Sequence, residues 1–140
     1  MTSQTFLKVN LIIVFDPQVE NVLMCHRQKD PYKGLYNFVG GKKNPDESDI
    51  EGAYRELFEE SGITRDDIHI KPLFFTQYFE DKIELQVFYG YLQHEVILVP
   101  EKNPLEWMPI TEDFSDDTRF AGQGNIKHMM DLIYESKQGM

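Results

Sequence analysis

The chain has 140 residues, of which 41% are apolar and 13% aromatic, and this predicts one compact domain spanning residues 1–140. Its formal net charge of −10 excludes a protein that binds a nucleic acid polymer through a broad basic face, although cations can still bridge a small anion to acidic side chains. The single cysteine, Cys25, cannot form an internal disulfide, and no apolar stretch is long enough to span a membrane, so we expect a cytoplasmic protein without membrane contact.

The first part of the chain predicts two strands and a glycine-rich segment. Phe6–Phe15 is rich in β-branched and aromatic residues and ends at Asp16-Pro17, which indicates a strand closed by a turn, with Val22–His26 as its partner. The short apolar run Leu35–Val39 then leads into Gly40-Gly41-Lys42. Two successive glycines allow the backbone to approach another group closely.

A helix is predicted over Asp49–Ser61. Ser48 and Glu51 have the spacing of a capping box, and Gly62 stands where a left-handed residue ends a helix. At about 100° per residue, five apolar side chains share a face that we expect to be buried, and three glutamates share the opposite face. The apolar residues are Ile50, Ala53, Tyr54, Leu57 and Phe58, and the glutamates are Glu56, Glu59 and Glu60.

The second half of the chain predicts more strands and a final helix. Ile68–Phe79 and Ile83–Leu92 indicate two long strands of a hairpin. Val96–Val99 is a further extended segment, Trp107–Ile110 a short strand, and Asn125–Glu135 carries apolar residues at helical spacing. This order of elements predicts a mixed α/β or α+β fold.

Three glutamates on one helical face repel one another, so their grouping needs a reason. One reason is a divalent cation, because Mg²⁺ prefers oxygen ligands, and carboxylates spaced three and four residues apart can converge on it. The alternative is a solvated acidic face, in which case the helix has only a structural role. Spacing alone does not decide between the two.

The residues around the helix resemble a known family. Gly41, Glu47, Arg55-Glu56-Leu57, Glu59-Glu60 and Gly62-Ile63 match every defined position of the Nudix signature, G-x5-E-x7-R-E-U-x-E-E-x-G-U. The resemblance implies the Nudix fold, a mixed β-sheet sandwiched between helices, with the signature forming a loop and a helix. It also implies hydrolysis of phosphoric anhydrides.

The resemblance implies a metal site on this helix. The matching glutamates of the family, here Glu56, Glu59 and Glu60, bind Mg²⁺ together with the carbonyl of the preceding glycine, here Gly40, and Mn²⁺ is a substitute. Arg55 is expected to orient these carboxylates and not to bind the substrate. All five residues thus belong to the expected catalytic site.

Two more glutamates have expected roles. Glu47 resembles a supporting residue behind the metal ligands, with stabilisation of the helix N-terminus as the alternative. The segment Glu101–Met108 is similar to E-x-x-P-x-E-W-M of MutT-like members, so Glu101 is a candidate metal ligand or base, or else an exposed loop residue. The general base can be Glu59, Glu60 or Glu101.

The glycine-rich segment also suggests a substrate contact. Gly34–Lys42 is similar to a stretch in family members that hydrolyse oxidised purine triphosphates, whose asparagine reads the purine. Asn37 is therefore a candidate substrate-binding residue. Phe38 replaces a glycine of that stretch and is expected to shape the same pocket.

Three further residues are substrate candidates, each with an ordinary alternative. Asn125 lies in the region where MutT-like members place a base-reading asparagine, or it caps the last helix. Asp116, followed by Asp117, matches an aspartate pair near the oxidised base, or it belongs to a solvated acidic turn. Arg27 resembles an arginine that reaches phosphate or base, or it forms a surface ion pair.

The resemblance favours a MutT-like enzyme that converts a nucleoside triphosphate, with 8-oxidised purines preferred, into a nucleoside monophosphate and pyrophosphate. One alternative is a pyrophosphatase for ADP-ribose, a nucleotide sugar or a dinucleotide, which shares every signature residue. Another is a sensor that binds a nucleotide without turnover, which the intact glutamates disfavour. The expected partner is a small nucleotide, and homodimers are frequent in the family.

Overall fold

In the computed structural model, which describes residues 5–122 and 124–138, strand β1 (Leu7–Phe15) lies at the centre of a seven-stranded mixed sheet. It runs parallel to β6 (Ile83–Leu92) along its whole length and antiparallel to β2 (Asn21–His26) and β4 (Val39–Lys42). The other elements are β3 (Tyr36–Asn37), α1 (Asp49–Ser61), β5 (Ile68–Tyr78), β7 (Leu105–Pro109) and α2 (Asn125–Gln138).

Alternate side chains of β1 enter two separate cores, as the two-residue period of a strand requires. Ile13 and Phe15 pack in a core that includes Met129 of α2, whereas Ile12 packs in a second core with Leu57 of α1. The two helices therefore cover opposite faces of the sheet. The predicted α+β arrangement, a mixed sheet sandwiched between helices, is confirmed.

Most of the predicted elements agree closely with the observed ones, and the predicted extended segment Val96–Val99 lies outside the sheet. It belongs to none of the strands in the described residues. The Val99 N–H donates to the Ser61 carbonyl at 2.8 Å. This bond provides a partner for a carbonyl at the C-terminus of α1, and it is not part of a β-sheet. The predicted strand Trp107–Ile110 is confirmed as β7, which starts slightly earlier.

Helix α1 begins and ends where the sequence predicts. Ser48 Oγ accepts a hydrogen bond from the Glu51 N–H at 3.2 Å, and Glu51 Oε1 accepts one from the Ser48 N–H at 2.9 Å. At the other end, Gly62 has a φ of +80°, and its N–H donates to the Phe58 carbonyl at 2.8 Å. These local bonds fix the register of the helix on the sheet.

The prediction that Phe58 is buried is wrong, because its side chain is 55% exposed. The buried stripe of α1 includes Gly52 as well as Ala53 and Leu57, so it is centred closer to the carboxylates than the apolar pattern suggested. This shift leaves Phe58 at the margin of the stripe, in a shallow surface cavity beside Tyr54.

The capping box gives a first testable expectation. Ser48→Ala removes the side-chain acceptor at the start of α1 and should lower the free energy of unfolding by about 0.5–2 kcal/mol. Ser48→Asp keeps an acceptor there and should unfold close to the parent protein. Urea unfolding followed by circular dichroism measures both, and an unchanged midpoint for Ser48→Ala would show that the cap contributes nothing.

Candidate active site

Two glutamates of α1 face a cleft next to Gly40 and Gly41, the glycine pair of strand β4. Glu56 and Glu60, one helical turn apart, line a cleft of about 680 Å³ together with Gly40 and Gly41. A Cβ atom at Gly41 would collide with the Glu56 carboxylate, and the Gly40 N–H donates to Glu60 Oε2 at 3.5 Å. The close approach of α1 and β4 therefore depends on glycine.

Ionisation of both carboxyl groups is unfavourable in the metal-free protein, because burial raises their pKa values. Burial raises the pKa of Glu60 to about 7, and the neighbouring charge of Glu56 adds to this rise against the hydrogen bond from Gly40. Burial also raises the pKa of Glu56, although Arg55 opposes the shift. A cation bound between the two groups would favour their charged forms.

Arg55 connects the signature carboxylates. Its Nε donates to both oxygens of Glu47, at 3.2 and 3.0 Å. Its Nη1 donates to Glu56 Oε1 and to Glu59 Oε2, both at 3.0 Å, and its Nη2 donates to the Lys42 carbonyl at 2.9 Å. Because these donors are occupied within the protein, Arg55 is arranged to hold carboxylates and not a substrate phosphate.

Glu47 lies behind the cleft and anchors Arg55. Hydrogen bonding to Arg55 lowers the pKa of Glu47 to about 2, and the Asn44 N–H donates to the same carboxylate at 2.8 Å. Gly52 provides the space, since a Cβ atom there would lie 2.9 Å from Glu47 Oε1. A glycine within a helix costs about 1 kcal/mol relative to alanine, and here it admits the carboxylate.

The prediction that three glutamates share the face opposite the buried stripe holds only in part. Glu56 and Glu60 lie at the border of the stripe and turn toward the cleft, whereas Glu59 is 47% exposed and contacts Arg55. In the described part of the chain, no three acidic, histidine or cysteine side chains lie close enough together to bind a metal ion as they stand.

The cleft nevertheless fits a hydrated divalent cation. Mg²⁺ keeps several waters and is bound through one or two carboxylates plus the phosphates of a substrate, so it does not need a cage of protein ligands. Glu56 and Glu60 supply two hard oxygen donors whose charged forms lack a full counter-charge. Gly40 lines the same space and carries a backbone carbonyl.

Cationic side chains from loops and from the end of β4 line the rest of the cleft, although the chain as a whole is acidic. The Gln28 N–H donates to Asn103 Oδ1 at 3.1 Å, which joins two of these loops at the cleft. A local positive lining next to two carboxylates suits an anion that arrives together with a divalent cation. The cationic residues are Arg27, Lys29, Lys42 and Lys102.

Of the predicted substrate residues, Arg27 lies in this cleft, but Asn37 and Phe38 have other contacts. Asn37 Oδ1 accepts a hydrogen bond from the adjacent Phe38 N–H at 2.8 Å. Phe38 is 2% exposed and packs in the core that includes α2. The expectation that Phe38 contacts the substrate is therefore corrected, because its side chain is enclosed by other apolar residues.

Asn125 lines a second cavity, of about 400 Å³, with Phe74, Thr76 and His128 among its neighbours. It is exposed and is the first residue of α2, not the residue before the helix. This second cavity shares no lining residue with the carboxylate cleft.

The remaining predicted residues lie in loops. Asp116 Oδ1 accepts hydrogen bonds from the N–H and hydroxyl of Thr118, at 3.0 and 2.6 Å, so this carboxylate closes its own turn. Its neighbour Asp117 lines a third cavity with Phe120. Glu101 is exposed and precedes Lys102 of the cleft, and within the described residues it forms no ion pair or hydrogen bond.

Several residues of the site escaped the sequence analysis. Lys29, Lys102 and Asn103 reach the cleft from loops whose positions depend on distant strand pairing. Gly52 had a detectable signal, since a glycine in the middle of a predicted helix needs an explanation. Such a glycine can mark a close contact, here with Glu47.

A comparison with protein families identifies the class of the protein. The NUDIX domain model matches residues 6–128, most of the chain, so the chain belongs to the Nudix family. It is a Nudix hydrolase that acts on phosphoric anhydrides of nucleotide-linked substrates. Enzymes of this family generally use divalent metal ions.

Solved structures show the same fold at low sequence identity. An Ap4A hydrolase from C. elegans is 14% identical, with a TM-score of 0.73 over 94% of this chain and 99% of that one. The NUDIX domain of NrtR from Shewanella oneidensis, solved with ADP ribose, is 15% identical, with a TM-score of 0.72 over 97% and 90%. A MutT protein from Methanosarcina mazei Go1 is 18% identical, with a TM-score of 0.71 over 98% and 99%.

Neither helix of the described residues has the length and apolar character needed to cross a membrane. Both helices carry charged residues along their length.

The contact between Glu47 and Arg55 predicts a pH-dependent contribution to stability. Because the pKa of Glu47 falls from an ordinary 4.5 to about 2 on folding, its stabilisation is present above pH 4.5 and is lost as the pH falls toward 2. Glu47→Gln should lower the free energy of unfolding at pH 7 by roughly 1–2 kcal/mol. This difference from the parent protein should shrink below pH 4.5 in urea unfolding experiments.

Glu80→Gln is the matched control, since Glu80 is an exposed carboxylate in the turn between β5 and β6. It should change stability by less than about 0.5 kcal/mol at every pH. A Glu47→Gln difference that stays constant from pH 7 to pH 3 would contradict the assigned contact.

Proposed function

We propose that the protein is a Mg²⁺-dependent pyrophosphohydrolase that converts a nucleoside triphosphate into a nucleoside monophosphate and pyrophosphate. The observation that carries the proposal is the meeting of Glu56 and Glu60 with several cationic side chains in one cleft. A triphosphate needs both, because it brings a divalent cation and more negative charge than one cation neutralises.

The residues of the cleft divide into two roles. Glu56 and Glu60, with the carbonyl of Gly40, would hold Mg²⁺, which when bound neutralises phosphate oxygens and lowers the pKa of water. Arg55 keeps Glu56 in place through its Nη1 hydrogen bond. Arg27 and its cationic neighbours would position the phosphate chain and compensate the charge that develops on the leaving pyrophosphate.

The general base is one of two exposed carboxylates. Glu60 would have its oxygens engaged by the metal, which leaves Glu59 and Glu101 as candidates. Glu59 is held by Arg55 at 3.0 Å, so its carboxylate has a fixed direction, whereas Glu101 adjoins Lys102 of the cleft. With Mg²⁺ saturating at every pH, the base is the residue whose glutamine variant abolishes the acidic limb of the pH–rate profile.

Recognition of the base is proposed for the second cavity. Asn125 offers an amide next to the aromatic rings of Phe74 and Tyr78, and a nucleobase needs such a combination of stacking surface and hydrogen-bonding group. Asn37 and Asp116 are weaker candidates, because their side-chain oxygens already accept main-chain hydrogen bonds. A preference for 8-oxidised purines remains the favoured form of the proposal.

The substrate class is tested by measuring phosphate and pyrophosphate release with and without Mg²⁺. The panel contains ordinary and 8-oxidised nucleoside triphosphates, ADP-ribose, a nucleotide sugar and diadenosine polyphosphates. We expect pyrophosphate from a triphosphate to form fastest, with at least about a tenfold gain in kcat/KM on 8-oxidation. A faster diphosphate-linked substrate would replace the triphosphate proposal, and tight Mg²⁺-dependent binding without turnover would indicate a sensor.

Glu60→Gln tests the catalytic cleft directly. The substitution removes a charged oxygen donor while preserving shape, so we expect kcat/KM on the best substrate to fall by roughly 100-fold or more, about 2.7 kcal/mol. Glu80→Gln removes one carboxylate elsewhere and should leave turnover unchanged. Equal activity of the two variants would exclude Glu60 from the reaction.

Mg²⁺ binding should depend on pH because a proton and the metal compete for Glu60. With a pKa of about 7 in the metal-free protein, Glu60 is increasingly protonated below neutral pH. The apparent Kd for Mg²⁺ should therefore rise by up to about tenfold for each pH unit below 7 and level off above it. Isothermal titration calorimetry from pH 5.5 to 8.5 measures this, and Glu60→Gln should flatten the profile.

A further inference from the structure

Asn10 is a polar residue in the middle of the central strand β1. Its side chain is 0% exposed, and it lies on the α1 side of the sheet together with Ile12. The Oδ1 atom accepts a hydrogen bond from the Gly41 N–H at 3.0 Å. The Nδ2 atom has no hydrogen-bond partner within the described residues.

The orientation of the Asn10 carboxamide follows from its contact with Gly41. A backbone N–H can only donate, so the amide oxygen must face Gly41, and the NH₂ group is left in the interior. A buried donor without an acceptor costs about 1–3 kcal/mol, which cancels most or all of the gain from the single hydrogen bond. The fold as such therefore gains little from an asparagine at this position.

The contact with Gly41 matters because Gly40 and Gly41 also lie against the carboxylates of α1. A Cβ atom at Gly40 would collide with the carbonyl oxygen of Asn10, and one at Gly41 would collide with the Glu56 carboxylate. Gly40 also donates its N–H to Glu60. This glycine pair of β4 is thus held between its register partners on β1, including Asn10, and the two carboxylates on α1.

We propose that Asn10 is a positioning residue that fixes the Gly40-Gly41 peptide against Glu56 and Glu60, and so sets the geometry of the cation site. This inference rests on the proposed function for its effect on catalysis. Asn10 is not among the residues that line the cleft, so its influence must pass through Gly40 and Gly41 of β4. It is expected to act on metal affinity and turnover, and not on contact with the nucleotide.

The chain contains a matched control for this residue. Gln86 on β6 is the register partner of Asn10 and is also 0% exposed. Its Nε2 donates to Glu84 at 2.7 Å, and its Oε1 has no partner among the described residues. Asn10→Leu and Gln86→Leu therefore both replace a buried, half-satisfied amide in one layer, but only the first removes a hydrogen bond to Gly41 of β4.

The test compares the two variants with the parent protein. For Asn10→Leu we expect the Mg²⁺ Kd to rise about tenfold and kcat to fall about 10- to 100-fold, with KM changed by less than about twofold. The Gly41 amide should exchange faster with solvent in hydrogen-exchange NMR of the metal-free protein. Gln86→Leu should leave all four quantities close to parent values, with a similar urea midpoint.

The outcomes separate this inference from the proposed function. If no substrate is hydrolysed but Asn10→Leu still weakens Mg²⁺ binding and exposes the Gly41 amide, the proposed reaction is wrong and the positioning role stands. If hydrolysis occurs and both leucine variants have the same Mg²⁺ Kd, kcat and Gly41 exchange rate, Asn10 is only a core residue.

A second substitution covers a failure of Asn10→Leu to fold. Asn10→Thr suits a strand and offers a shorter hydroxyl acceptor, so the bond to Gly41 should weaken without disappearing. Its Mg²⁺ Kd and Gly41 exchange rate should lie between those of the parent protein and the values expected for the leucine variant. Values identical to the parent protein would overturn the positioning role.

Discussion

The burial of two carboxyl groups against the glycine pair of strand β4 is the constraint on which the site depends. Glu60 and Glu56 both have raised pKa values because the fold removes water from them without supplying a full counter-charge. Only glycine at positions 40 and 41 allows this approach. The protein therefore holds an electrostatic cost in its metal-free form that a divalent cation would relieve, which couples ligand binding to stability.

Within a few residues of helix α1, some side chains hold the structure together and others face the cleft. Arg55 links Glu47, Glu56, Glu59 and the Lys42 carbonyl, so one side chain sets the direction of several acceptors. Glutamates in this segment consequently differ in how readily they ionise. The pKa of Glu47 is lowered by its arginine contact, whereas that of Glu60 is raised by burial. Environment and not residue type distinguishes the carboxylate that anchors Arg55 from the carboxyl group proposed to bind the metal.

Features with local causes were predictable from the sequence. The capping box at Ser48 and the left-handed Gly62 gave both ends of α1 correctly, because these bonds join residues close in sequence. Periodicity placed Phe58 wrongly, since an apolar pattern gives the width of a buried stripe but not its centre. The position of Lys102 in the cleft and the contact of Asn10 with Gly41 could not be predicted, because they arise where segments distant in sequence are brought together.

The position of β1 also has a consequence for the order of folding during synthesis. β1 can pair with β4 once residue 42 has been synthesised, whereas its parallel partner β6 begins only at residue 83. Until then one edge of the central strand, with its unpaired N–H and C=O groups, is open to association with other chains. The nascent chain can assemble β4 and the signature helix early, but it stays prone to aggregation until β6 pairs with the open edge of β1.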